Sequence, residues 1–374
     1  MLESLTAASR AVALAEKALR LTSPNPRVGC VLLSPDDHVI GQGHTQKAGG
    51  PHAEVMALRD AAERGHATRG ATAYVTLEPC SHQGRTGPCC DALINAGIAR
   101  VVASIADPNP LVAGQGFARL RAAGIDVEVG PEAAESRELN IGFFSRMIRK
   151  TPWVRMKIAA SLDGKTALPD GQSQWITGVE ARTDGHAWRA RACAVLTGIG
   201  TVLQDKPRLD VRLVDTPRQP HLVIVDSLLE TPPDAPLFIA GRQVWIYGAV
   251  ENIAKQAALE ARGAIVRLLP GSVVPGKAHP KVDLAAMMRD LAAREINELH
   301  VEAGEKLNGS LIREGLVDEF LLYYAPKLMG QGLGMAGFGP LQCLTDAISL
   351  EFQSIDRCGA DLRVVARVAG RYKF

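Results

Sequence analysis

His52 and Glu54 form an H-x-E pair in "GGPHAEVMALRD", where a Gly-Pro step gives way to a helical pattern. Downstream, "LEPCSHQGRTGPCC" supplies Cys80, Cys89 and Cys90. One imidazole plus two thiolates make three protein ligands, which leaves the fourth tetrahedral position of Zn2+ to water. A closed structural site would need a fourth ligand, from Cys90 or from His82. Adjacent Cys89 and Cys90 rarely both turn onto one ion, so burial of Cys90 on the core face of a helix is the simpler reading. Zinc brings the pKa of its water towards neutrality, and a carboxylate beside it can carry the proton to a leaving amine. That role falls to Glu54. The pattern is the zinc-deaminase H-x-E with P-C-x-x-C, in which the glutamate is not a metal ligand. Here eight residues, not two, separate Cys80 from Cys89. The spacing argues against an ordinary cytidine or tRNA-adenosine deaminase and leaves the reaction class standing.

These residues need elements to hold them. At 374 residues the chain is long for one domain, and 47% apolar residues suit a globular protein. Net charge is +2, so nothing electrostatic points to nucleic acid or a membrane as partner. No window approaches 18 uncharged apolar residues, and no basic segment precedes an apolar run at the start. Seven cysteines in such a chain read as cytoplasmic thiols rather than disulfides. Leu5, Ala8, Val12, Ala15 and Leu19 fall at helical spacing, a run that Ser23-Pro24 ends. Strand-like runs then alternate with helical ones, which predicts an α/β fold. In the first part the strands are "RVGCVLLS", "ATAYVTLE", "RVVASIAD" and "GIDVEVG", with helices at "HAEVMALRDAAERG" and "PCCDALINAG". A basic, aromatic segment around residues 146–151 interrupts the series and places a boundary between domains 1–147 and 148–374. A second series runs from "WVRMKIAAS" through "CAVLTG", "HLVIVDS", "QVWIYGA" and "ELHVEAG" to "DLRVVARV". "LLPGSVVPGKAHPKVD" reads as a surface loop.

Together "SPNPRVG", "GQGHTQKAGGPHAE", "LEPCSHQGRTGPCC" and "DPNP" resemble the bifunctional riboflavin-biosynthesis deaminase/reductase family, over essentially the whole chain. The resemblance implies two α/β domains, the first cytidine-deaminase-like and the second dihydrofolate-reductase-like. It implies zinc on His52, Cys80 and Cys89, one ion per deaminase domain, and leaves Cys90 outside the ligand set. The implied substrate is a phosphorylated diaminopyrimidinone, and Asn25, His44, His82 and Arg85 are polar positions suited to it. Arg85 in particular offers a guanidinium to a phosphate.

For the second domain the resemblance rests on "KIAASLDGKTA", "SQWITG", "TGIGTVLQDKPRLDVR", "VIVDS" and "EAGEKLNGSLIREGL". It implies NADPH contacts at Ala159, Trp175, Thr201, Asp205 and Ser227, and at the turn Gly304, Glu305, Lys306, Leu307, Asn308, Gly309 and Ser310. It implies substrate contacts at Ser173, Arg189, Leu209, Arg212 and Glu302. Physically, a strand ending at Gly304 with a helix close behind aims free amides at an anion such as a pyrophosphate. "GLGMAG" at residues 332–337 imitates the dinucleotide fingerprint. Pro340 interrupts any helix that would open from it, and the stretch reads as a flexible loop. Family reductase domains imply a homo-oligomer, dimer or larger. Two rivals differ in class: a nucleoside or nucleic-acid deaminase with an unrelated second domain, and a zinc-stabilised binding protein without turnover. The long Cys80–Cys89 spacing weighs against the first, and the open coordination position with Glu54 against the second.

Overall fold

The computed structural model describes residues 6–82, 87–110, 112–273 and 278–374, and the chain divides into two compact units, Met1–Arg149 and Lys150–Phe374. In the first unit the order is α1 (Ala7–Glu16), β1 (Gly29–Leu33), β2 (Val39–His44), α2 (Ala53–Glu63), β3 (Thr72–Val75), α3 (Cys89–Asn95), β4 (Arg100–Ala103), α4 (Gln115–Ala122), β5 (Asp126–Val129), α5 (Ala133–Leu139) and α6 (Ile141–Arg149). The strands order as β2-β1-β3-β4-β5, with β1 antiparallel to both neighbours and the β3, β4 and β5 ladder parallel. The N-terminal helix is shorter than its apolar spacing predicts. Thr6 caps it by accepting from the Ser9 amide at 3.2 Å. α2 lies directly on β2: a Cβ at Gly43 would meet the Met56 side chain at 2.5 Å and the Ala57 nitrogen at 2.6 Å. Glycine there sets how deep α2 sits, and with it the position of His52 and Glu54 at its start.

The second unit runs β6 (Trp153–Ser161), β7 (Lys165–Ala167), α7 (Val179–Arg191), β8 (Ala194–Gly198), α8 (Ile199–Asp205), β9 (His221–Val225), β10 (Val244–Gly248), α9 (Ile253–Glu260), β11 (Ala264–Leu268), α10 (Leu284–Ala293), β12 (Glu298–Val301), α11 (Glu305–Arg313), β13 (Glu319–Ala325), β14 (Leu333–Gly334), β15 (Leu350–Cys358) and β16 (Asp361–Val368). Among the described residues, nine of these strands form one sheet, ordered β11-β10-β9-β8-β12-β6-β13-β16-β15. It is parallel from β11 to β13, and β16 and β15 add antiparallel. β8, β10 and β12 are buried at every residue, as strands with both faces covered must be. β8 and β10 accordingly read as nearly continuous apolar runs, whereas β12 carries Glu298 and His300 into the interior. β15 escapes that reading because its residues are mostly exposed.

Charges sit inside this sheet. Arg155 on β6 pairs with Glu298 on β12 at 3.0 Å and with Glu319 on β13, and Arg367 on β16 reaches Glu319 at 2.8 Å. The Arg155 guanidinium also lies 4.4 Å from the Trp188 ring centroid on α7. Desolvation of such ions is expensive, so the pairs hold only because each charge meets its partner in good geometry. They tie four neighbouring strands in register.

Candidate functional site

The first site forms where two helix starts meet the end of β3. His52 is the N-cap of α2, but its imidazole does not cap the helix. Cys89 opens α3 and is fully buried, and Cys80 lies in the segment after β3. His52 Nδ1 stands 3.3 Å from Cys89 Sγ and 3.6 Å from Cys80 Sγ, and the three donor atoms all fall within 4.8 Å of one another. An Nδ1, Sγ, Sγ set fits Zn2+ with one position open. The Cys80 sulfur also accepts the Cys89 backbone N–H at 3.3 Å. Hydrogen bonds from the Cys89 thiol, then from His52, hold the Cys80 thiol down at about 4 against its burial. Cys89, donating to that sulfur and buried, is pushed far up. Glu54 is only 4% exposed, and burial followed by the Cys80 charge raises its carboxyl.

Cys90 faces elsewhere. Its thiol donates to the carbonyls of Pro79 at 3.3 Å and Gly116 at 3.6 Å, and burial pushes it up to about 12. His82 is exposed and stands outside the cluster. His44 ends β2 with Nδ1 near the Thr45 carbonyl at 3.1 Å, and Asn25 is half-buried, its carbonyl accepting from the Thr22 hydroxyl. Arg85 lies outside the described residues.

One residue that the motif reading missed organises this region. Glu78, two positions before Cys80, is buried and accepts four backbone amides: Asp107 at 3.2 Å, Gly114 at 3.0 Å, Gly116 at 2.9 Å and Phe117 at 3.3 Å. Two of these open α4, whose own N-cap Gly114 has no side chain to offer. A carboxylate at that helix start fixes the Cys80 segment from the other side.

The second site lies at the C-terminal ends of the parallel strands β8, β12 and β6, the usual place for a ligand in such sheets. A cavity of about 580 Å³ is lined by twelve of the predicted residues, among them Ala159, Ser173, Trp175, Thr201, Asp205, Leu209, Gly304, Glu305 and Asn308. Arg189, Arg212 and Glu302 line both it and an adjoining cavity of about 320 Å³. Trp175 is 61% exposed, with Arg182 stacked 4.5 Å from its ring centroid. Glu302 takes a two-pronged bond from Arg189, at 2.7 and 2.9 Å, and lies 3.8 Å from Lys157. Burial works to raise its carboxyl, yet Arg189 and Lys157 hold it well below the carboxylate range. The Arg189 fork is therefore already committed to Glu302 rather than free to clamp a phosphate. Lys157 and Arg182 went unread, though both carry signals. Lys157 shares a strand face with Ala159, and Arg182 precedes Arg189 by two helical turns.

Other predicted contacts sit apart from this wall. Ser227 follows β9, its carbonyl accepting from Ala249 and Val250. Leu307 packs on the core, and the Ser310 hydroxyl bonds back to Lys306. Gly309 abuts Gly337, where an added Cβ would lie 2.0 Å from the Gly337 oxygen. The "GLGMAG" stretch is thus a fastened strap rather than a flexible loop. β14 within it pairs with β7, the Met335 carbonyl accepts from Asn308 at 2.9 Å, and Gly337 donates to Glu305. No helix opens from it, so it is not a dinucleotide fingerprint.

Comparison with known proteins agrees with this division. Residues 3–105 match the cytidine and deoxycytidylate deaminase zinc-binding region, and residues 152–364 match the RibD C-terminal domain. The chain is 43% identical to the riboflavin biosynthesis protein RibD of Escherichia coli, covering 95% of this chain and 96% of that protein. To its counterpart in Aquifex aeolicus it is 40% identical, covering 94% and 95%. Among solved structures, a form of Acinetobacter baumannii RibD superposes with a TM-score of 0.86 at 38% identity, covering 97% and 98%. A diaminohydroxyphosphoribosylaminopyrimidine deaminase/5-amino-6-(5-phosphoribosylamino)uracil reductase from Thermotoga maritima gives 0.83 at 32%, covering 96% and 97%.

The geometry separates the adjacent cysteines. Cys89→Ser is expected to lose most of its zinc on dialysis against a chelator, whereas Cys90→Ala keeps an equimolar load and loses only about 1 kcal/mol of stability. Metal analysis of the two variants decides it; zinc loss from both would place Cys90 in the ligand set. The histidines of the second site set an acid limit. Burial, with Arg189 and Arg212 adding, brings His186 to about 4, and burial brings His300 to about 3 against its ordinary 6.5. Both stay neutral in the fold while the unfolded chain takes up protons, so their contribution is constant above pH 6.5 and declines below it. Each is expected to remove up to about 1.4 kcal/mol per pH unit on acidification. Urea unfolding at stepped pH measures the slope, and His300→Phe should lower it; an unchanged slope in that variant would contradict the assignment.

Proposed function

The chain belongs to the RibD family of riboflavin-biosynthesis proteins, and on that premise we propose that residues 1–147 carry its first reaction and residues 148–374 its second. It is a bifunctional deaminase and reductase. The first reaction is zinc-dependent hydrolytic deamination of 2,5-diamino-6-(5-phosphoribosylamino)pyrimidin-4-one, and the second is NADPH-dependent reduction of the ribosyl side chain to ribityl. The assignment is carried by the convergence of His52, Cys80 and Cys89 within 4.8 Å beside buried Glu54.

His52, Cys80 and Cys89 hold the zinc, which supplies a Lewis acid and an acidified water when bound. Glu54 takes a proton from the attacking water and passes it to the ring nitrogen, then takes the remaining hydroxyl proton as the carbonyl forms and gives it to the departing amine, which leaves as ammonia. Its burial keeps that proton from exchanging with bulk solvent. Asn25, His44, His82 and Arg85 are assigned to the phosphorylated pyrimidine in this unit. In the second unit NADPH supplies the hydride, and the protein orients donor and acceptor. The start of α11 offers the free amides of residues 304–307 to the pyrophosphate, with Asn308, Gly309, Ser310, Ala159, Trp175, Thr201, Asp205 and Ser227 assigned to the cofactor as well. Ser173, Arg189, Leu209, Arg212 and Glu302 face the substrate, and the pairing of Arg189 with Glu302 makes this a fixed polar floor.

We infer a homo-oligomer joined through β15. This nine-residue edge strand presents Leu350, Phe352 and Ile355 to solvent, Phe352 at 69%, and an open strand edge with exposed apolar side chains is a template for pairing. A cytoplasmic location fits seven free cysteines, two of them metal-facing, and cell fractionation checks it. Among the described residues, no helix is long and apolar enough to cross a membrane.

Glu54→Gln is expected to cut deamination by about 100-fold or more, with zinc content and reduction of the deaminated substrate unchanged. Deamination surviving in that variant would sink the role given to Glu54. Phe352→Lys is expected to convert the assembly to monomers in size-exclusion chromatography with light scattering. A wild-type protein already monomeric at micromolar concentration would rule out the interface.

A further inference from the structure

The segment after β7, residues 168–178, forms one wall of the larger cavity and carries Ser173 and Trp175. It lies outside every helix and strand, and within it only Thr177 is buried. Apolar burial therefore does little to hold it in place. Side chains from four other parts of the unit hold its backbone instead. Gln204 on α8 donates to the Gly171 carbonyl at 3.1 Å, and Arg182 on α7 donates to the Thr177 carbonyl at 2.8 Å. Asp361, which opens β16, accepts the Gly178 amide at 2.7 Å. Lys327, two residues past the end of β13, makes two bonds: its Nζ donates to the Ile176 carbonyl at 2.8 Å and to the Trp175 carbonyl at 3.2 Å. Trp175 is thus held through its own backbone, while Arg182 stacks on its ring.

Lys327 is itself seated on the sheet. β6 and β13 pair in parallel as far as Ser161 and Ala325, so the turns that leave them start side by side. The Leu162 amide donates to the Lys327 carbonyl at 2.8 Å. The Asp163 carboxylate accepts the amides of Met329 at 3.1 Å and Gly330 at 2.7 Å. Hydrogen bonds from the Ser161 hydroxyl, then from the Met329 amide, hold the Asp163 carboxyl down at about 2, so it stays ionised and keeps these partners. A continuous path of bonds therefore runs from the ends of two central strands, through Asp163 and the turn after β13, to the Lys327 ammonium and Trp175. Lys327 does not itself line the cavity.

We propose that Lys327, seated by Asp163, is a positioning residue for the cofactor: it fixes Trp175 where NADPH meets it, without touching the dinucleotide. This rests on the reading of Trp175 as a cofactor contact. A wall with little buried apolar area samples several positions, and its affinity falls by the fraction of time spent in the competent one. Charge-assisted bonds to two successive carbonyls remove that freedom before the ligand arrives. Trp175, at 61% exposure, can then offer its ring as a fixed surface.

The test uses the full-length protein, NADPH and the phosphorylated ribosylaminouracil. Lys327→Met is expected to weaken NADPH binding about tenfold in calorimetric titration, the effect of one charge-assisted bond. The NADPH KM rises by the same factor, while kcat and the pyrimidine KM stay within about twofold. Lys327→Arg keeps a cation of similar reach and recovers most of the loss. Asp163→Asn, at the other end of the path, weakens NADPH binding about threefold and decides the matter should Lys327→Met not fold. Trp175→Ala also weakens binding, and adding Lys327→Met to it costs less than about a further twofold, because the lysine acts through that residue. A full additional loss in the double variant shows that Lys327 acts elsewhere and overturns the proposal. Wild-type NADPH affinity in Lys327→Met, or a pyrimidine KM that rises as much as the NADPH KM, overturns it too. Wild-type NADPH affinity in Trp175→Ala refutes the reading of Trp175 itself and takes the proposal with it, a failure that this single variant identifies.

Discussion

Two thiolates and an imidazole meet at one point only if the starts of two helices are brought together at the end of a strand. That convergence at His52, Cys80 and Cys89 is the constraint on which the first unit depends. α2 reaches it because Gly43 lets the helix lie against β2. α3 reaches it because the chain leaves β3, passes Cys80 and returns to start a helix at Cys89, whose amide bonds the Cys80 sulfur. Glu78 closes the arrangement from behind with its four amide bonds, so the segment carrying Cys80 is tied to α4 as well as to β3. Donor atoms held this way need little reorganisation to take up an ion, and Glu54, two residues after His52, is buried at the start of the same helix.

The second unit solves a different problem, the placement of charge in a sheet that is buried on both faces. At one end of the parallel strands Arg155, Glu298, Glu319 and Arg367 neutralise one another within the core. At the C-terminal end Arg189 and Lys157 share the one carboxylate of Glu302 at the cavity floor, which leaves one net positive charge, with His186 and His300 kept neutral beside them. Buried charges of this kind add little net stability, but removing one partner strands the other, which makes the geometry unique. A cavity with a fixed polar floor and surplus positive charge at its rim results from that arrangement.

Much of this was legible in the residue order. The H-x-E pair and the two cysteines identify the zinc chemistry, because a metal set needs only particular donors and a spacing that a helix start can satisfy. The alternation of apolar runs and helical patterns identifies two α/β units. Arg182 and Lys157 were missed although their spacing places them beside predicted residues, since a charged side chain on a helix or strand is usually a solvated one. β15 was missed because an edge strand on the outside of a sheet lacks the apolar continuity of β8 or β10. The strap at residues 332–337 was misread because its glycines serve close packing against α11 and β7, a use that leaves no local pattern.

Residue order alone specifies the reaction chemistry and the two-unit organisation, because donor type, spacing and hydrophobic period are local properties of the chain. Which of several like residues does which work is a matter for the packed fold. Cys89 and Cys90 are neighbours in the chain, yet one turns to His52 and the other to the carbonyls of Pro79 and Gly116. Arg189 and Arg212 look alike as phosphate ligands, yet one is bound by Glu302 and the other is held half-exposed by Asp210. Pairing between residues far apart in sequence is set by how the strands and helices pack: the sequence could set Cys90 aside, but only the fold shows what it bonds instead and that Glu302 occupies Arg189.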